Sequence, residues 1–319
     1  MELSNVTIQS EFILWWPAHL LQYHGFLFAV TLFVYSLCLI GNMLIITLIC
    51  LEAHLQTPMY FFLGNLSFLE MCYTSVTVPT ILGVFLEKTK HISLVACLTQ
   101  IYFLHFFGCT ECFLLALMAY DRYTAICKPL HYGMMMNRRV CIQLASLCWT
   151  SGFLDSLTLT LLTSMLPFCG PFQINNLFCD VPPLLKIACT DTRLNEVILR
   201  VAGGLLVVIP LLFILWSYLN IVTTIWKIPS MNAKQKAFST CSSHLTVVGL
   251  FYGTVSYMYM RPNSGISTDW NRLVVLVYTV LTPALNPLIY SLRNNDVIEA
   301  LNKVLCKIFQ CQTLKNNTI

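Results

Sequence analysis

Residues 93–122 read SLVACLTQIYFLHFFGCTECFLLALMAYDR. From Ser93 to Tyr120 the run carries one charge, Glu111, before Asp121 and Arg122 close it. About 20 mainly apolar residues in helical form cross a hydrocarbon core of roughly 30 Å. The stretch therefore reads as a membrane-spanning helix. Barrel strands would give short alternating segments instead.

Six further windows read the same way: Gly25–Leu51, Pro58–Leu86, Val140–Leu166, Val201–Trp226, Ala237–Met260 and Leu273–Leu292. Their few charges include Glu70 in the second and Asp155 in the fourth. No stretch reads as soluble sheet. Over the whole chain of 319 residues, 57% are hydrophobic and 10% charged. Soluble domains carry about 25% charged residues, which argues against a water-soluble protein. The absence of a basic cluster argues against a nucleic-acid partner. The expected fold is an all-α membrane protein, a seven-transmembrane helix bundle embedded in a lipid bilayer. The chain divides into an outer N-terminus (1–24), the bundle (25–292) and an inner helix and tail (293–319).

Lys and Arg set the orientation. With the N-terminus outside, Arg122, Lys128, Arg138, Arg139, Lys227, Lys234, Lys236, Arg293, Lys303, Lys307 and Lys315 lie inside. Lys88, Lys90, Lys186, Arg193, Arg200, Arg261 and Arg272 lie outside. The acceptor Asn5-Val6-Thr7 calls for glycosylation on the outer side. Asn65-Leu66-Ser67 lies inside a span and is discounted. Polar Met1–Ser10 lacks the basic start and small-residue cleavage site of a signal peptide, so the first span reads as an uncleaved anchor. After the last span, Val297, Ile298, Leu301, Val304, Leu305 and Ile308 form an apolar stripe at helical spacing. This predicts a short amphipathic helix along the inner leaflet, where Cys306 and Cys311 are palmitoylation candidates or plain thiols.

Four blocks carry a resemblance. They are Pro58–Leu63 (PMYFFL), Met118–Cys127 (MAYDRYTAIC), Lys236–Leu245 (KAFSTCSSHL) and Asn286–Asn294 (NPLIYSLRN). In this order they resemble the olfactory (odorant) receptors, a branch of the rhodopsin-like G-protein-coupled receptors. The resemblance implies a receptor that binds a small volatile molecule and activates the olfactory stimulatory G protein, raising cyclic AMP. The implied location is the plasma membrane.

The residue roles follow from the same resemblance. Asp121, Arg122 and Tyr123 form the inner switch, with Tyr218 and Tyr290 closing on Arg122 in the active state. His244 lies where the sixth span meets the G protein, and Asn286 and Pro287 kink the seventh. On chemistry alone, Asp121 beside Arg122 is equally an anchoring ion pair. Glu70, Glu111 and Asn286 form a mid-membrane polar cluster. Two buried carboxylates can share a proton or a cation. The resemblance implies a sodium ion here, although Glu70 stands where most of the family has Asp. A neutral hydrogen-bonded cluster is the competing reading. Cys97, Cys169, Cys179 and Cys189 allow three pairings; the resemblance implies Cys97 with Cys179 and Cys169 with Cys189.

The expected odorant pocket starts at Leu104, 18 residues and five turns from Arg122 on one face. His105, Gly108 and Cys109 extend it, with Ala202 and Leu206 opposite. Tyr252, Val255 and Tyr259 come from the sixth span, and Leu276 and Thr279 from the seventh. No acidic residue belongs to this set, so a weakly polar ligand is expected and a charged amine is not. His105, Cys109 and Cys112 could in principle ligate a soft metal, with packing and a hydrogen-bonded imidazole as the simpler account.

Other classes fit less well. A receptor for a non-odorant metabolite would use the same pocket. A transporter would show paired halves. An intramembrane enzyme would need a catalytic motif, and no His-Glu-x-x-His or Gly-x-Ser-x-Gly occurs. No enzymatic activity and no cofactor, sodium aside, is expected.

Overall fold

A computed structural model of the protein describes residues 11–15, 22–169, 172–259, 274–292, 296–304 and 306. Seven long helices are present among them: α1 (His24–Leu51), α2 (Pro58–Glu87), α3 (Leu94–Cys127), α4 (Arg138–Ser164), α5 (Arg193–Lys227), α6 (Met231–Tyr259) and α7 (274–292). The seven-helix, all-α expectation holds. Five of them, α1 to α5, are long and apolar enough to cross a membrane by length and composition. The first turns of α6 are polar, and the apolar part of α7 runs only from Val274 to Tyr290.

Local chemistry starts the helices where the sequence suggests. Pro58 occupies the first turn of α2, where a missing N–H costs nothing. Ser93 Oγ accepts from Ala96 N at 3.2 Å to cap α3, and Asn137 Oδ1 accepts from Val140 N at 3.0 Å to cap α4. Helix α5 starts at Arg193, eight residues before the apolar window. That extra length carries Arg193, Glu196 and Arg200, whose charges keep it in water.

The polar and apolar faces are inverted relative to a soluble bundle. Phe26, Phe33 and Ile40 of α1 and Ile209, Leu212 and Leu219 of α5 are exposed. Glu70, Thr74, Glu111 and Asn286 are buried. In hydrocarbon, polar groups must find partners inside the protein. Helix α3 runs through the centre, packed against α2, α4, α5 and α6.

A small sheet on the outer side corrects the expectation of no sheet. Strand β1 (Glu11–Trp15) lies between β2 (Thr89–Ser93) and β3 (Gln173–Ile174). It is antiparallel to β2, with Glu11 opposite Ser93, and parallel to β3, with Leu14 opposite Ile174. Phe12 and Leu14 point into the protein and are buried, the period-two alternation of a strand with one covered face. The strands are too short and too far apart in the chain for local patterning to reveal their pairing.

On the inner side, residues 296–304 and 306 are helical. Val297 and Ala300 are buried, whereas Ile298, assigned to the same apolar stripe, is exposed. The helix docks on the first inner loop and the start of α2: Lys303 Nζ donates to Glu52 Oε2 at 2.8 Å, and Tyr60 Oη donates to Asp296 Oδ2 at 3.1 Å. The Glu52 contact holds the Lys303 ammonium pKa above the usual lysine value. Cys306 is exposed. Leu305, Ile308, Cys311 and the acceptor Asn5 lie outside the described residues.

Helices α3 and α4 approach closely at Gly152. A Cβ there would lie 2.8 Å from the Phe106 carbonyl oxygen and would clash with Thr110 Oγ1. A Cβ at Gly64 would meet only Ile49, at 3.7 Å. Gly152→Ala is therefore expected to destabilise the purified protein by about 1–3 kcal/mol through overpacking. Gly64→Ala is expected to leave the thermal midpoint near that of the native chain. Thermal unfolding in detergent separates the two.

Candidate functional site

Two sites lie along α3, one in its outer half and one at its inner end. The outer site is a cavity of about 860 Å³ between α3, α4, α5, α6, α7 and the α4–α5 loop. Leu104, His105, Gly108 and Cys109 form its α3 wall, Ala202 and Leu206 face them from α5, and Val255 faces them from α6.

The remaining expected residues are placed elsewhere. Tyr252 turns its hydroxyl to the Cys112 carbonyl, which accepts at 3.1 Å; its neighbour Phe251 lines the cavity instead. On α7 the phase shifts by one residue. Val277–Leu281 is a π-turn, which inserts an extra residue into the helical repeat. Thr279 is buried and donates to the Val275 carbonyl at 2.5 Å, Leu276 packs against the core, and Tyr278 lines the cavity. The Tyr259 side chain lies outside the described residues.

The wall also corrects the expected absence of acids. Asp155 of α4 and Glu196 of α5 line the cavity. Asp180 Oδ1 lies 3.3 Å from His105 Nε2. Asp155 was visible as the one charge of the fourth span, and Asp180 as the neighbour of Cys179. Thr158 and Leu159 of α4 carried no such signal. Among the described residues no three metal-ligating groups converge. The His105, Cys109, Cys112 set therefore gains no support as a metal site, and His105 instead faces Asp180.

The loop over the cavity is held at several points. Cys97 is joined to Cys179, with Cα atoms 5.4 Å apart, and Cys169 to Cys189, at 5.5 Å. These are the pairs the resemblance implied. Gln100, one turn below Cys97, ties three elements together. Its Nε2 donates to the Val76 carbonyl at 2.8 Å and to Thr80 Oγ1 at 2.9 Å. Its Oε1 accepts from Cys179 N at 2.8 Å.

At mid-membrane, Asn286 Nδ2 donates to Glu70 Oε1. Glu111 interacts with Glu70 across the α2–α3 contact. Glu70 Oε2 and Asn286 Oδ1 are buried with no hydrogen-bond partner among the described residues. These are oxygen donors suited to a hard cation. Pro287 packs on Gly41, where a Cβ would lie 3.0 Å from the ring, so α1 and α7 nearly touch.

At the inner end, Arg122 Nε is 3.9 Å from Asp121 Oδ2. Tyr132, on a short helix of the second inner loop (Tyr132–Met135), donates to Asp121 Oδ1 at 2.8 Å. Burial and the Asp121 carboxylate push the Tyr132 phenol pKa above its usual value, so it remains a donor. Tyr218 Oη is 2.8 Å from His244 Nδ1, and His244 Nε2 is 3.2 Å from the Leu115 carbonyl oxygen. Because that carbonyl only accepts, Nε2 carries a proton; in the neutral ring Nδ1 accepts from Tyr218. One imidazole thus links α3, α5 and α6. Tyr290 Oη is buried without a hydrogen-bond partner among the described residues. Arg122 interacts electrostatically with Tyr218, His244 and Tyr290. Tyr123 lies beside these groups, its ring 5.1 Å from Trp216 of α5.

A seven-helix bundle with a covered central cavity and a polar latch at its inner end defines a membrane receptor architecture. A family model described as "Olfactory receptor" matches residues 31–308. Olfactory receptor 10C1 of Homo sapiens is 49% identical over 95% of this chain and 97% of its own length. Olfactory receptor 10A2 of Homo sapiens is 50% identical over 90% of this chain and 94% of its own. Olfactory receptor 1468 of Rattus norvegicus is 45% identical over 96% and 98%. The chain belongs to the olfactory receptor family. It is a multi-pass membrane protein of the G-protein-coupled receptor class and not an enzyme.

Gln100→Leu leaves the buried Cys179 N–H and Val76 carbonyl without their side-chain partner. The expected loss is about 1–3 kcal/mol for an unsatisfied buried group. It should appear as a lower thermal midpoint with both disulfides intact by mass spectrometry.

Proposed function

We propose that the protein is an odorant receptor of the plasma membrane with its N-terminus outside the cell. A small volatile ligand enters the outer cavity and shifts an existing equilibrium toward a form with an open inner face. That face engages the olfactory stimulatory G protein, and cyclic AMP rises. The observation that carries this reading is the cavity stacked on the same central helix as the Asp121–Arg122 latch.

The residues supply the parts such a cycle needs. Opening the inner face requires α6 to leave α3 and α5, which breaks the Tyr218–His244–Leu115 link. Tyr218 is then released toward Arg122, already within electrostatic range. Tyr290 offers a second unpartnered hydroxyl. A sodium ion beside Glu70, Glu111 and Asn286 belongs to the same proposal. It would favour the closed form by answering the orphan oxygens there.

The test is cyclic AMP in cells expressing the full chain with an N-terminal surface tag, against pooled volatile odorants. Arg122→Ala is expected to abolish the response at equal surface level. His244→Ala is expected to raise ligand-independent cyclic AMP. Losing hydrogen bonds worth about 0.5–1.5 kcal/mol net shifts the closed–open equilibrium by roughly two- to twelvefold. A response that survives Arg122→Ala, or a channel-like current in place of cyclic AMP, sinks the proposal.

A further inference from the structure

The cavity wall carries a carboxylate whose charge no hydrogen bond among the described residues answers. Asp155 sits on α4 and lines the cavity. It accepts no hydrogen bond among the described residues, and His105 attracts it electrostatically. His105 is itself directed at Asp180, at 3.3 Å. Asp180 also accepts from Val181 N, at 2.8 Å.

Charge counting around His105 sets the local sign. Two carboxylates face one imidazole. The surplus is negative whether that imidazole is neutral or protonated. The two cations on the wall do not cancel it. Arg200 is committed to Glu196 at 2.8 Å, and Lys186 is exposed and solvated. An ionisable side chain at membrane depth is costly unless it is paired or used. Much of the rest of the wall is apolar or aromatic, with Leu104, Leu159, Leu206 and Phe251 among its residues. Aromatic faces also attract cations.

We infer that this cavity takes a protonated amine carried on a compact apolar body, with Asp155 as the counter-ion. The ammonium sits against the Asp155 carboxylate on the α4 side, and the body fills the space between α3, α5 and α6. His105, held by Asp180, bounds the polar end. This rests on the proposed reading that ligands act from this cavity, and it narrows their chemistry.

The test uses matched pairs: cycloalkyl and arylalkyl amines, each against the alcohol of the same skeleton. Binding is read twice on the full chain, as thermal stabilisation of the detergent-purified protein and as cyclic AMP in cells. The amines are expected to act at concentrations at least about tenfold below their alcohols, a difference of 1.4 kcal/mol. Asp155→Asn is expected to erase that gap, and Asp155→Glu to keep part of it. The comparison on the native chain needs no variant to fold.

Alcohols matching or exceeding their amines overturn the inference. So does an amine preference undiminished in Asp155→Asn, or no stabilisation by any pair. Stabilisation by amines without cyclic AMP supports the inference and sinks the signalling proposal instead. Cyclic AMP evoked by alcohols but not amines does the reverse.

Discussion

A polar group at membrane depth must be answered from within the protein, and α3 is where this chain answers most of them. Its centre meets Glu70 of α2 through Glu111. Its backbone carbonyls receive Tyr252 and approach His244, both from α6. Its outer turns hold Gln100 and the disulfide to the loop. Its inner end holds Asp121 and Arg122. Lipid offers no alternative partners for these groups. The positions of the neighbouring helices are therefore set largely by where α3 presents polar atoms. Small residues then decide how near they come, as at Gly152 on α4 and Gly41 against Pro287.

The spans were legible because hydrocarbon imposes a length and a composition, and both are properties of consecutive residues. What stayed hidden depends on residues far apart. Strand β1 gains its place only when β2 and β3 arrive from positions about 80 and 160 residues along, which no local alternation records. Helix ends beyond the bilayer were also misjudged at α5. There the helix continues as a charged, solvated extension that a hydropathy window does not capture.

The cavity shows the same division. On α3 and α5 the expected faces are the observed ones, since a regular helix repeats every 3.6 residues. On α7 the π-turn breaks that repeat, so Tyr278 replaces Leu276 and Thr279. On α6 a single residue of rotation exchanges Tyr252 for Phe251. The larger omission was α4. Its Asp155 is the one charge of the fourth span, and a charge retained at that depth is a statement about what the wall faces. Asp180 was visible beside Cys179, but its place against His105 was not, because it sits in a loop. The disulfide at Cys179 and the Gln100 bond to its N–H hold this part of the loop against α3.

Helix α6 is fastened to α3 at two heights, and the spacing of these contacts matters for any signal that crosses the bundle. Tyr252 reaches the Cys112 carbonyl, and His244 reaches that of Leu115. Cys112 itself lines the cavity, as does Phe251 beside Tyr252. A ligand that displaces Phe251 therefore works on the upper fastening directly. The lower one lies about two turns further along α6 and one turn along α3. A rigid helix transmits a tilt over that distance with little loss. Asp155 faces the cavity from α4, and Asp180 reaches His105 from the loop. In the proposed cycle, selection among ligands and release of α6 fall to different walls of one cavity.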